Sequence, residues 1–261
     1  MIVSAREERG TFRAPDGVVL HYTRRRGGST RVVVVSPGIF MHREGAEHRL
    51  LATRLLEIAD VVTMDVRGHG DSGGAFTFGL REPEDLAAFA ASLRAEYETV
   101  GGLGFSFGGF HTLVAAARRP VFDAVATVGT PHRLFILDHN FLTPGLLRCL
   151  PYTLRRRRRL TRLSLLPRGL PPVPSRLVAR IAPVPLLVAH GADDWLIAPS
   201  HARRLYEAAG EPRELFLVER GLHAENILAD DPEPLLQALL DFFRRRLPVV
   251  TSRDRRSDAD S

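Results

Sequence analysis

The sequence of 261 residues contains no lysine and only one cysteine, Cys149. One cysteine cannot form an intramolecular disulfide, which excludes a disulfide-stabilised scaffold and favours a cytoplasmic protein. No stretch approaches the ~18–20 consecutive apolar residues of a transmembrane helix, and the first ten residues lack the apolar run of a signal peptide. With 44% hydrophobic and 25% charged residues, the composition predicts a folded globular protein and excludes disordered or fibrous chains.

The basic charge is carried by arginine alone and is concentrated in one segment. The chain has 36 basic and 30 acidic residues, for a net charge of +6. Residues 131–181 hold eleven arginines and one acid, Asp138, whereas the rest of the chain carries 25 positive and 29 negative charges. This proline-, leucine- and arginine-rich segment is too short for an independent core, so we interpret it as a lid insert.

Five consecutive arginines, Arg155 to Arg159, lie within this insert. In a helix, at ~100° per residue, the five side chains would point in all directions around the axis, so they cannot share one solvated face. Because unpaired charges are costly to bury, the run must protrude into solvent or contact anions. Surrounding leucines favour a lid that receives an acyl group on an anionic carrier, coenzyme A or a lipid surface. A solvated loop in an arginine-biased chain is the alternative. Nucleic acid is not an expected partner, because aromatic residues are not interleaved with the arginines.

Short apolar runs alternate with helical periodicities along most of the chain. Four consecutive valines at 32–35 predict a strand buried on both faces, as in a parallel sheet. The other predicted strands are 10–13, 18–23, 61–66, a weak strand ending at 104, 122–128, 184–189 and 215–218. The predicted helices are 44–58, 82–97, 107–118, 199–209 and 232–246. We therefore expect one α/β domain over residues 1–247, with a mostly parallel sheet, a lid insert at about 131–181 and a disordered tail at 248–261.

The strongest motif is G-x-S-x-G at residues 104–108, between a predicted strand and a predicted helix. A strand that turns directly into a helix forces the middle residue, Ser106, into a strained conformation, and the flanking glycines remove side chains that would collide. The serine hydroxyl would then stand clear of the sheet. The N–H of Phe107 would point to the place where an oxyanion forms.

A serine needs a base, and the base needs a carboxylate to orient it. Two later segments follow predicted strands and offer these groups: one contains Asp193 and Asp194, and the other ends at His223. Both segments would lie at the carboxyl ends of parallel strands, where ligand sites of open α/β sheets gather. Either aspartate is compatible with this pattern.

Over about residues 10 to 247, the chain resembles the α/β-hydrolases, in particular monoacylglycerol lipases and S33 aminopeptidase-like esterases. The resemblance rests on DVRGHGDSG at 65–73, GFSFG at 104–108, GADD at 191–194 and GLH at 221–223. It implies an α/β-hydrolase fold in which Ser106 is the nucleophile, Asp194 the acid and His223 the base. It also implies that Ile39 donates the second oxyanion hydrogen bond, beside Phe107.

The sequence departs from this family at two places. Pro37 stands where the family usually has histidine, so any hydrogen bond of that side chain is absent. The strand before the elbow, residues 100–104, contains more glycine than a buried central strand should. Neither departure removes a catalytic group, although the second would loosen the elbow.

Five further residues are expected to contact substrate: Phe40, Phe105, His132, Leu134 and Phe135. For His132 an ordinary surface position is the alternative. No cluster of metal-ligating side chains is evident, and no cofactor is expected.

These features predict a serine hydrolase that cleaves a carboxylic ester or thioester of a small-molecule acyl substrate through an acyl-enzyme. A thioesterase that uses the basic lid is the closest alternative, and a peptidase is a further one. A non-catalytic receptor on the same fold is an alternative of another class. An aspartate at the elbow would have indicated a dehalogenase or epoxide hydrolase, which the serine argues against.

Overall fold

The valine run at 32–35 forms a strand in the middle of the sheet, and all four side chains are buried. The structure is a computed structural model that describes residues 6–134, 147–148, 161–164 and 169–248. Its strands are β1 (Arg6–Arg13), β2 (Val19–Arg26), β3 (Arg31–Ser36), β4 (Asp60–Met64), β5 (Thr99–Phe105), β6 (Ala124–Val128), β7 (Leu186–Gly191) and β8 (Arg213–Val218). Its helices are α1 (Ala46–Leu55), α2 (Glu82–Leu93), α3 (Phe107–Arg118), α4 (Pro174–Leu177), α5 (Ser200–Ala208), α6 (Glu225–Asp230) and α7 (Glu233–Arg246).

Within the described ranges the strands form a single sheet in the order β1-β2-β4-β3-β5-β6-β7-β8. Strands β3 to β8 run parallel to one another, whereas β2 is antiparallel to both β1 and β4. This confirms the predicted α/β-hydrolase fold with its mostly parallel sheet. Because β5, β7 and β8 share one direction, the segments that follow them meet at one edge of the sheet.

The two faces of the sheet carry separate apolar cores. On one face α1 and α7 pack against the strands through residues such as Leu51 and Leu239. On the other face α2, α3 and α5 contribute Leu86, Leu113 and Leu205. None of the helices in the described part of the chain is long and apolar enough to cross a membrane.

The glycines of β5 are explained by the packing of these layers. A Cβ at Gly101 would lie 2.9 Å from the ring of Phe243 in α7, and one at Gly102 would lie 3.0 Å from Phe122 and from Thr112 of α3. Side chains here would force the helices away from the sheet. The glycine-rich strand is therefore tightly packed, and the expectation that it loosens the elbow finds no support in its packing.

The predicted lid insert contacts the main domain at several described points. The backbone N–H of Arg162 donates to the carbonyl of Gly68 (2.8 Å), and the carbonyl of Arg162 accepts from Phe76 (2.8 Å). Near its end, Val178 and Ile181 are buried in the core, so this last part of the insert belongs to the main domain. The run Arg155 to Arg159 and the tail beyond residue 248 lie outside the described residues.

One histidine of the helix that follows the elbow is buried in the core. His111 of α3 is buried among the rings of Phe76, Phe107 and Phe110, with ring centroids 5.7–6.3 Å away. Neither ring nitrogen of His111 has a hydrogen-bond partner among the described residues. Burial lowers the pKa of His111 to about 4, and the charge of Glu82 only partly opposes this. The imidazole is therefore neutral at neutral pH.

This burial predicts an acid-dependent loss of stability that passes through His111. Since its folded pKa lies below the ordinary value, the unfolded chain takes up the proton first as the pH falls from 6.5 towards 4. The wild type should lose about 2 kcal/mol through this group between pH 7.5 and pH 5. The variant His111→Leu, which fills a similar volume, should lose correspondingly less over the same interval. Urea unfolding at both pH values measures the difference, and parallel pH profiles would contradict the prediction.

Candidate active site

The predicted elbow is present between β5 and α3. Ser106 has φ 49° and ψ −117°, a region that side chains rarely adopt and that costs on the order of 1–3 kcal/mol. The Ser106 N–H donates to the carbonyl of Val128 on β6 (2.8 Å), which fixes the turn to the sheet. A Cβ at Gly104 would collide with the backbone of Gly108, and one at Gly108 would collide with the carbonyl of Ser36. The two glycines thus let the strand, the helix and β3 approach closely.

The structure brings Ser106, His223 and Asp194 together, although they are far apart in sequence. His223 Nε2 lies 3.1 Å from Ser106 Oγ, and His223 Nδ1 lies 2.7 Å from Asp194 Oδ2. Because the carboxylate accepts the proton of Nδ1, Nε2 is left to accept the hydrogen bond of the serine hydroxyl. All three side chains are buried, with His223 the most accessible. This arrangement can draw a proton from the serine as it attacks a carbonyl.

Asp194 is held by contacts on both carboxylate oxygens. Oδ1 accepts the N–H groups of Leu196 and Ile197, each at 2.9 Å, while His190 Nε2 lies 3.2 Å from Oδ2. Burial alone would raise the pKa of Asp194, but the charges and hydrogen bonds of His223 and His190 lower it below its ordinary value. The carboxylate is therefore ionised and oriented before substrate arrives.

Asp193, the other candidate acid, points away from this chain of hydrogen bonds. Its Oδ2 lies 3.2 Å from Arg148 of the insert, which also binds Asp230 and the carbonyl of Arg220. Asp193 thus connects the insert to the loop after β7. The two adjacent aspartates take different directions, so only Asp194 contacts His223.

A cavity of about 280 Å³ opens beside Ser106. Ile39, Phe40 and Met41 line one side of it, and Trp195 and Leu196 line another. The walls are mainly apolar and would suit an acyl group. Phe40 has φ 65° and remains 43% exposed.

Two backbone N–H groups are candidate oxyanion donors. Among the described residues, the N–H of Ile39 has no backbone acceptor, and Ile39 lines the cavity. Phe107 is the first residue of α3, where the N–H has no acceptor within its own helix. The side chain of Phe107 is half-buried and packs on Phe76, with ring centroids 5.5 Å apart.

The other residues expected to contact substrate have different surroundings. Phe105 is fully buried and packs edge-on against His48, with 5.8 Å between ring centroids. It lies in the core packed by α1 and α7 and does not line the cavity beside Ser106, which corrects the expectation that it contacts substrate. His132 is also buried, with Nδ1 2.8 Å from His201 Nδ1, so it is neither a surface residue nor part of the cavity wall. Leu134 is half-buried, and Phe135 lies outside the described residues.

The loop at 65–73, which carries the DVRGHGDSG motif, supports the site but does not line the cavity. Asp65 accepts the backbone N–H of Arg43 (2.7 Å) and pairs with its guanidinium, which also binds Asp71 (2.8 Å). The Ser72 hydroxyl donates to the carbonyl of Asp65 (2.7 Å). These bonds tie the loop after β4 to the segment after β3. That segment contains Ile39, so the motif supports the cavity wall.

One buried carboxylate of the site was not predicted from the sequence. Glu225 lines the cavity, and its Oε1 accepts the N–H of Gly38 (2.7 Å). The sequence signal that could have identified Glu225 is its position two residues after His223, within the same turn.

No group of three or more histidine, cysteine, aspartate or glutamate side chains in the described ranges could hold a metal ion.

Comparison with known proteins identifies the family. Residues 32–239 match the model of a family described as the alpha/beta hydrolase family. The chain belongs to the alpha/beta hydrolase family. The match runs from β3 into the first half of α7 and includes all three residues of the Ser106–His223–Asp194 cluster.

Solved structures share the fold over nearly the whole chain. The alpha/beta hydrolase GrgF from Penicillium superposes with a TM-score of 0.77 at 19% identity, covering 92% of this chain and 99% of GrgF. The esterase Pf2001 from Pyrococcus furiosus superposes with a TM-score of 0.73 at 20% identity, covering 94% and 95%. At these identities the likeness shows the fold.

Similarity in sequence to a curated protein is confined to a short stretch. Polyketide transferase ATR5 of Stachybotrys chlorohalonatus is 34% identical over 74 residues, which are 28% of this chain and 25% of that protein. The chain thus matches only about a quarter of the length of this relative.

The close packing at the elbow predicts a large effect of one added methyl group. Gly108→Ala should destabilise the protein by about 3 kcal/mol or more, because its Cβ would collide with the carbonyl of Ser36. Gly17→Ala is the matched control: its φ is +87°, but no atom lies within 4 Å, so it should cost only about 1 kcal/mol. Urea unfolding of both variants measures these values. Equal losses would show that the elbow is not tightly packed.

Proposed function

We propose that the protein is a serine hydrolase that cleaves a carboxylic ester through an acyl-enzyme. The observation that carries this proposal is the continuous line of contacts from Ser106 through His223 to Asp194, at 3.1 and 2.7 Å. Membership of the alpha/beta hydrolase family and the likeness to an esterase fold support it. A receptor would need a cavity but would not need an oriented base next to a strained serine.

The reaction proceeds in two acyl-transfer steps. His223 takes the proton of Ser106 as Oγ attacks the substrate carbonyl, and Asp194 stabilises the imidazolium that results. The N–H groups of Ile39 and Phe107 bind the oxyanion, and each is expected to contribute ~3 kcal/mol to the transition state. His223 then protonates the leaving group. In the second step His223 activates water, which attacks the acyl carbonyl and releases Ser106.

The cavity suggests the size and polarity of the acyl group. Its volume of about 280 Å³ is at the small end of ligand cavities, and its walls are mainly apolar. A small to medium uncharged acyl chain fits these walls. Such a chain would lie against Phe40 and Trp195, with its carbonyl at Ser106.

A thioesterase is the second candidate, and the basic insert is the observation that favours it. Residues 131–181 carry a net charge of +10, which would attract the phosphates of coenzyme A or an acidic carrier. The acyl-enzyme chemistry is unchanged, because only the leaving group differs. Comparing kcat/KM for nitrophenyl esters and for acyl-CoA of the same acyl length distinguishes the two.

Covalent labelling tests the proposed nucleophile directly. A fluorophosphonate probe should label the wild type at Ser106, because only an activated serine reacts readily. Ser106→Ala should abolish labelling and nitrophenyl ester hydrolysis, while its urea unfolding midpoint shows that it is folded. A folded wild type that takes up no probe would favour the receptor alternative.

The two adjacent aspartates provide a matched pair of variants. Asp194→Asn should lower kcat by about 10³- to 10⁴-fold, since an amide does not hold the His223 tautomer or stabilise its charged form. Asp193→Asn removes the same charge one residue earlier and should change kcat by less than about threefold. Steady-state hydrolysis of a nitrophenyl ester gives both values. Similar losses in the two variants would reject Asp194 as the sole orienting acid.

A further inference from the structure

Glu225 is a buried carboxylate that the triad chemistry does not use. It is 3% exposed and lines the cavity next to Ser106. Its Oε1 accepts the backbone N–H of Gly38 at 2.7 Å, and the fully buried His48 lies 3.5 Å from the same oxygen. A buried carboxylate needs compensating bonds, because burial without them is costly. Gly38 supplies such a bond from the loop that contains Ile39.

The turn that carries Glu225 also carries the general base. Ala224 lies between His223 and Glu225 and has φ 43°, which few residues other than glycine adopt. The N–H of Asn226 donates to the carbonyl of His223 (2.8 Å) and closes this turn. The reversed backbone at Ala224 lets both neighbouring side chains reach the cavity. His223 contacts Ser106, and Glu225 contacts the segment after β3.

Gly38 lies between Glu225 and the nucleophile. A Cβ at Gly38 would be 3.1 Å from Glu225 Oε1 and 3.3 Å from Ser106 Cβ, so little room separates them. The preceding residue, Pro37, has a fixed φ and no N–H, so it cannot make a backbone bond that holds this segment. The N–H of Gly38 is therefore the first backbone donor after β3 that can hold this loop in place, and Glu225 accepts its hydrogen bond.

We infer that Glu225 is a positioning residue that holds the Gly38–Ile39 peptide so that the Ile39 N–H faces the oxyanion. This inference rests on the proposed hydrolase function. Through Glu225, the turn that carries the general base is tied to the loop that carries the oxyanion donor. This role requires a side-chain oxygen within hydrogen-bond distance of the Gly38 N–H, and it does not require that the side chain be charged. In this role Glu225 acts through the Gly38 N–H and is not itself a catalytic residue.

Three substitutions at Glu225 separate the effect of the distance between its oxygen and the Gly38 N–H from the effect of its charge. Glu225→Gln keeps an oxygen at the same distance but removes the charge, whereas Glu225→Asp keeps the charge and draws the oxygens back by about 1.5 Å. Glu225→Ala removes both. We expect Glu225→Gln to keep kcat within about threefold, and the Asp and Ala variants to lose at least about tenfold in kcat with little change in KM.

The matched control is another buried carboxylate that accepts loop N–H groups. Asp60 at the start of β4 is buried and accepts the N–H of Gly27 (2.8 Å) and of Ser29 (3.1 Å), at the opposite edge of the sheet from Ser106. Asp60→Ala should lower the urea midpoint and leave kcat unchanged. This control separates loss of stability from loss of oxyanion geometry.

A second measurement does not depend on catalysis. Amide hydrogen exchange of Gly38, followed by NMR, should be slow in the wild type and in Glu225→Gln and at least about tenfold faster in Glu225→Asp. Wild-type kcat in the Asp variant, or a loss in the Gln variant as large as that in the Asp variant, would overturn the inference. Unchanged exchange at Gly38 in the Asp variant would overturn it as well. A wild type that fluorophosphonate does not label would instead reject the proposed function.

Discussion

The backbone of Ser106 is the constraint on which the rest of the site depends. Its φ of 49° joins a buried strand directly to a helix, so the hydroxyl stands at the carboxyl edge of the sheet. Such a conformation is unfavourable by itself and persists because its surroundings leave no alternative. Gly104 and Gly108 allow the backbones to touch, and the Ser106 N–H is bonded to β6. The core on both faces of the sheet thus stabilises a turn that would not form in isolation.

Strained backbone conformations with positive φ occur at other positions around the cavity as well. Five residues other than glycine have positive φ in the described chain, and three of them, Phe40, Ser106 and Ala224, belong to the segments that surround the cavity. Each follows one of the parallel strands and reverses the chain abruptly. Strain is therefore concentrated where side chains must be aimed into the cavity. The opposite edge of the sheet is held by unstrained bonds such as those of Asp60.

Much of the fold could be predicted from sequence because its signals are local. The valines of β3, the elbow glycines and the alternation of strands and helices each depend on a few adjacent residues. The short helix α6 was not predicted, because six residues carry too little periodicity. The glycines of β5 were mistaken for a weakness, since their reason lies in Phe243 and Phe122, which are distant in sequence.

The site was predictable only where a motif fixed the backbone. Ser106 is identified by its turn, whereas the choice between Asp193 and Asp194 depends on which carboxylate meets His223. Glu225 could not be found from spacing alone, because its partner is a backbone N–H on another loop. Strand alternation places Phe105 on the same face of β5 as Leu103, and both side chains lie in the core packed by α1 and α7.

The charge distribution connects the insert to this edge of the sheet. Outside residues 131–181 the acids outnumber the arginines by four, and buried pairs such as Arg43–Asp65 use part of that acidic charge. The insert has one acid of its own, Asp138, so ion pairs of its arginines with the domain are made to acids outside it. Arg148 makes such pairs with Asp193, on the loop after β7, and with Asp230, the last residue of α6. Among the described residues, these two ion pairs attach the insert to the loop that also carries Asp194 and to the helix that follows His223, so electrostatic attraction holds this part of the insert beside the site.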